Sequence, residues 1–127
     1  MKKDPISKKP FEHLAFLYVA VNTKEGMVYA FFAVDAFDGY AINLDVERDL
    51  SPESILKNVY FLCEHPVFSK RKKKDFTLIM EEYEELSDRI FAILEPECGK
   101  VIFNKKLNNV ISNPFLEGMK KIMAGRK

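Results

Sequence analysis

The strongest constraint on this chain is a pair of apolar runs, Leu14 to Val21 and Met27 to Val34, eight residues each and separated only by Asn22-Thr23-Lys24-Glu25-Gly26. Both are rich in β-branched and aromatic residues, and both fall far short of the ~20 residues that a membrane-spanning helix needs. Short runs of this kind read as strands covered on both faces, and the turn-forming residues between them predict a hairpin loop. The second run ends at Asp35-Ala36-Phe37-Asp38-Gly39, where Asp-Gly is a strong turn signal. Ala41 to Glu47 then alternates apolar and polar residues, the mark of a strand with one wet face. Three consecutive antiparallel strands are predicted.

The pattern then changes period. Ser51-Pro52-Glu53 is a helix start: the hydroxyl can cap free amides, Pro suits the first turn, and the carboxylate favours the dipole. Ile55, Val59 and Leu62 form an apolar stripe that should end near Glu64, before Pro66. Phe76 to Met80 reads as a short buried strand, and Tyr83, Leu86, Ile90 and Ile93 repeat at helical spacing up to Pro96. Lys100 to Asn104 reads as a fifth strand. A loop of lysines and asparagines is expected next, with Asn113-Pro114 capping a last helix that carries Phe115, Leu116 and Met119 on one face.

A length of 127 residues suits one domain with one continuous core, here residues 11–127, preceded by a basic, loosely docked lead-in over residues 1–10. That lead-in has no hydrophobic signal core, so a cytoplasmic protein is expected, without membrane partners. Cys63 and Cys98 read as buried free thiols rather than a disulfide scaffold. The net charge of +1 conceals segregation: basic residues cluster near the N-terminus, in Lys70-Arg71-Lys72-Lys73-Lys74 and near the C-terminus, against acids at Glu81, Glu82, Glu84 and Glu85.

Three antiparallel strands followed by alternating helices and strands require a mixed sheet with right-handed crossovers and helices on both faces. This element order resembles the ribonuclease H-like superfamily, and the resemblance implies the spatial order 3-2-1-4-5 in a three-layer α/β/α arrangement. Within it, Val34-Asp35-Ala36-Phe37-Asp38-Gly39-Tyr40-Ala41-Ile42 is similar to the turn between the second and third strands of retroviral-type integrases and DDE transposases. Ser112-Asn113-Pro114-Phe115-Leu116-Glu117-Gly118-Met119-Lys120-Lys121 resembles their last catalytic helix.

The resemblance implies a two-metal phosphoryl-transfer site built from a first-strand Asp, an acid at the end of the fourth strand and a helical Glu, with magnesium as its cofactor. Glu117 matches the helical glutamate, and Glu81, or else Glu82, falls at the end of the fourth strand. The first position is degenerate, because Leu14-Ala15-Phe16-Leu17 contains no ligand. Asp35 and Asp38 are expected at the opposite end of the sheet. The acids at 81, 82, 84 and 85 also suit a helix's first turn through the dipole alone. Glu117 lies about 160° round the helix from its apolar stripe, using ~100° per residue, which equally suits a solvated surface position.

Other chemistries find little support. His13 and His65 with two distant cysteines do not make a typical zinc site, Cys63 and His65 flank a helix end, and phosphate-loop spacing is missing. Lys70, Arg71, Lys72, Lys73, Lys74, Lys120 and Lys121 are the candidate nucleic-acid contacts. The expected function is therefore a degenerate, transposase-derived, integrase-like domain with a DNA-binding role, no catalysis and no cofactor. The alternatives are an active magnesium-dependent nuclease or strand-transfer domain, and an interaction or structural module that kept only the fold. Nucleic acid is the candidate partner and a homodimer the candidate assembly.

Overall fold

The computed structural model describes residues 12–66, 76–81, 83, 85–94 and 99–124. Residues 1–10, the basic run at 70–74, Glu82, Glu84 and Cys98 lie outside these. The described residues form strands β1 (His13–Thr23), β2 (Gly26–Asp35), β3 (Ala41–Glu47), β4 (Phe76–Met80) and β5 (Gly99–Phe103), and helices α1 (Pro52–Glu64), α2 (Ser87–Leu94) and α3 (Lys105–Ala124). One mixed sheet has the order β3-β2-β1-β4-β5, the order that the resemblance of the element pattern implies.

β1 is the pivot of this sheet. It pairs antiparallel with β2 from Leu14↔Asp35 to Thr23↔Gly26, and parallel with β4 through His13↔Thr77, Leu14↔Leu78 and Ala15↔Ile79. Strand alternation sends Leu14, Phe16, Phe31, Leu78 and Met80 to one face, where α1 and α2 cover them with Val59, Leu62, Ile90 and Leu94. Ala15, Leu17, Val34 and Ile79 point to the other face and meet Leu107, Ile111 and Phe115 of α3. Three layers result. α1 starts as predicted, with the Ser54 amide donating to Ser51 Oγ at 3.2 Å and Pro52 in the first turn.

Three boundaries differ from the sequence reading. The hairpin is tighter than expected, because pairing persists to Thr23↔Gly26 and only Lys24 and Glu25 turn the chain. Gly26 takes a positive φ of 120° there, and Thr23 Oγ1 accepts from the Glu25 amide and donates to Gly26 O. The second helix begins at Ser87, not near Tyr83, so Glu81 and Glu85 precede it. Tyr83 instead anchors a turn whose carbonyl accepts from the Leu86 and Ser87 amides at 2.8 and 3.0 Å.

The third correction is the largest. The lysine and asparagine segment is helical, and Asn113-Pro114 caps nothing, since α3 runs unbroken from Lys105 with Pro114 inside it. Asn104 is the cap, its side-chain Oδ1 accepting from the Leu107 amide at 3.0 Å. Proline removes the hydrogen bond that residue 114 would give to Val110, but both residues are exposed, so water can reach the freed carbonyl.

Candidate functional site

β4 stops at Met80 while β1 continues beside it, leaving a step at the carboxyl end of β4. α3 closes this step because the Asn104 amide donates to Met80 O at 3.0 Å, which starts the helix directly beside the strand end. The result is a cleft of about 260 Å³ lined by Leu17, Tyr18, Glu81, Tyr83, Lys105 and Asn109, together with Phe16, Asn108, Ser112 and Leu116. Ligands of mixed sheets characteristically occupy such crevices at strand ends.

The cleft's buried polar groups are tied to the protein. Asn108 is 6% exposed, and its Nδ2 donates to Phe16 O at 2.8 Å. Ser112, 2% exposed, donates from Oγ to Asn108 O at 2.7 Å. The mouth is polar and exposed: Lys105 Nζ lies 3.7 Å from Glu81 Oε1, with both side chains at least half exposed. Beside them, burial, then the Glu81 charge, then Tyr18 push the Tyr83 hydroxyl up to about 12.

Of the residues singled out by sequence, Glu81 is in this cleft and Glu117 is not among its lining. Glu117 is exposed and pairs with Lys120 at 3.8 Å, one turn along the same helix. Leu17 occupies the first-strand position level with Glu81, by extending the parallel register two residues from Ala15↔Ile79, and it points toward α3. Asp35 lies level with Leu14, near the opposite end of the β4 pairing. It is 1% exposed, and its Oδ1 accepts from the Phe37 amide at 3.0 Å, which commits it to the turn. Asp38 likewise accepts from the Tyr40 amide at 3.0 Å.

Among the described residues, no group of three or more His, Cys, Asp or Glu side chains is placed to hold a metal ion. Among the described residues, Glu81 is the one carboxylate lining the cleft, and a single carboxylate facing an ammonium does not fit magnesium, which takes several oxygen ligands in octahedral array. Lys120 and Lys121 are exposed on α3, on the same helix as exposed Lys105 and Lys106. No helix among the described residues is long and apolar enough to cross a membrane.

Sequence reasoning missed Tyr18, Tyr83, Lys105, Asn108 and Ser112. The signal was present: Asn104, Asn108 and Ser112 recur every fourth residue, the spacing that lines up polar groups along one side of a helix. Reading Pro114 as a helix start hid it. No protein-family model matches the chain, and no curated protein matches it either.

Proposed function

We propose that this chain is a non-catalytic nucleic-acid-binding domain built on an integrase-core-like, ribonuclease H-like plan. The observation that carries this reading is the Lys105–Glu81 pair at the end of β4, with Leu17 level with Glu81 on β1. In a two-metal site of this plan, that space would hold divalent ions between carboxylates. Here an exposed protein ammonium stands 3.7 Å from the strand-end carboxylate, and the first-strand position offers no lone pair. The exposed lysines of α3 and the basic run at 70–74 supply the charge for phosphate contacts.

Two measurements on the full chain test this together. Cleavage and strand-transfer assays with magnesium and with manganese should show no turnover, and binding to DNA should weaken steeply as salt rises. Replacing residues 70–74 with Ser and Gln should weaken binding to all sequences alike. Metal-dependent turnover that disappears in Glu81→Gln and Glu117→Gln would restore the nuclease reading.

An interaction module is a second reading, favoured by an apolar strip on the α3 side of the sheet. Val46, 57% exposed, sits level with Ala30 and hence with Val19. A sedimentation coefficient that rises with concentration and reverts in Val46→Lys would support it over DNA binding.

A further inference from the structure

We infer that the cleft at the end of β4 reads one unpaired guanine base. This inference rests on the nucleic-acid reading above and names what the cleft would recognise.

The mouth of the cleft presents one double acceptor beside one cationic donor. Glu81 offers two carboxylate oxygens, and only Oε1 faces Lys105, at 3.7 Å. Guanine's Watson–Crick edge carries N1–H and the N2 amino group side by side, followed by the O6 acceptor. A carboxylate can accept from both nitrogens at once while a neighbouring ammonium donates to O6. Adenine and cytosine each give that carboxylate one amino group, and thymine gives it one ring N–H. Guanine alone among the four bases fills both oxygens and the lysine together.

The surroundings suit a flat heterocycle rather than an aliphatic ligand. Half-buried Tyr83, packed against the core, lines the cleft together with Leu17 and Leu116 and gives it an aromatic and apolar wall. Asn109, exposed and one helical turn beyond Lys105, brings a carboxamide to the same cleft. The volume of about 260 Å³ admits one base with its sugar outside. A paired base hides the edge that Glu81 and Lys105 would read, so the ligand is a single strand or an extruded nucleotide.

The test compares short labelled oligothymidylates carrying one central guanine, inosine or adenine, by fluorescence anisotropy with the full chain. Inosine keeps N1–H and O6 but lacks the amino group. Guanine should bind about tenfold tighter than adenine, the lower end for one good base contact because the pair is solvent-exposed, with inosine between them. Glu81→Gln should reduce the guanine preference to about twofold or less, and Lys105→Met should do the same. Both residues are exposed, so thermal melting should confirm that each variant keeps its fold. Equal affinity for all three oligonucleotides would overturn this inference and leave the nucleic-acid reading standing. A guanine preference that survives both substitutions would remove the cleft as its source. Absence of binding to any of the oligonucleotides or to duplex DNA would overturn both readings.

Discussion

The Asn108 side chain donates from Nδ2 to the main-chain oxygen of Phe16 at 2.8 Å, joining α3 to the central strand across 92 residues of sequence. This bond satisfies a carbonyl of β1 just where β4 no longer runs beside it. Asn108→Leu should leave Phe16 O without its partner and destabilise the protein by about 2 kcal/mol in urea unfolding. Asn109→Ala, one residue along but exposed, should change stability by less than about 0.5 kcal/mol. Equal effects at the two positions would mean that the bond contributes nothing particular.

Pro114 interrupts the hydrogen-bond ladder of α3 at an exposed position. Pro114→Ala restores an amide donor to Val110 O and removes the ring's steric conflict, so stability should rise by about 2 kcal/mol. A loss of stability on chemical denaturation would show that the proline instead shapes a bend that packing requires.

Tyr83 should titrate late. Its hydroxyl is raised from 10.0 to about 12, first by burial and then by the charge of Glu81. Because the folded state holds this proton more tightly than the unfolded chain, the associated stability is fully present below pH 10. It is lost as pH climbs toward 12. Tyr83→Phe should remove that part of the alkaline loss. Glu81→Gln should lower the Tyr83 value only partway, since burial is the larger cause; an ultraviolet titration of the folded protein checks both.

Lys120 and Lys121 lie exposed near the end of α3. If both contact phosphates, changing them to Gln should flatten the slope of log affinity against log salt for duplex DNA by about 1.8, or about 0.9 per contact. An unchanged slope would assign phosphate binding elsewhere, with the run at 70–74 the next segment to replace.

The strands and the start of the first helix were legible in the sequence because their determinants are local. The two eight-residue apolar runs and the alternation from Ala41 to Glu47 set three strands, and Ser51-Pro52 set the start of α1. Right-handed crossovers put helices on both faces, and the order with β1 in the middle is the one implied by the resemblance of the element order to the ribonuclease H-like superfamily. The same locality explains the position of Glu81, which follows from the end of a five-residue buried strand. The α3 boundary was not local. Propensity makes Pro114 a helix start and the asparagines before it a loop, and only burial of Ile111, Asn108 and Ser112 against the sheet outweighs that preference. The cleft was hidden for the same reason. Tyr18, Glu81 and Lys105 are far apart along the chain, and what brings them together is the Asn104 amide meeting Met80 O where β4 ends. Sequence determined which strands exist and where the first helix starts; tertiary packing decided where the last helix begins, and with it which side chains share the cleft, because that boundary depends on long-range burial rather than on neighbouring residues.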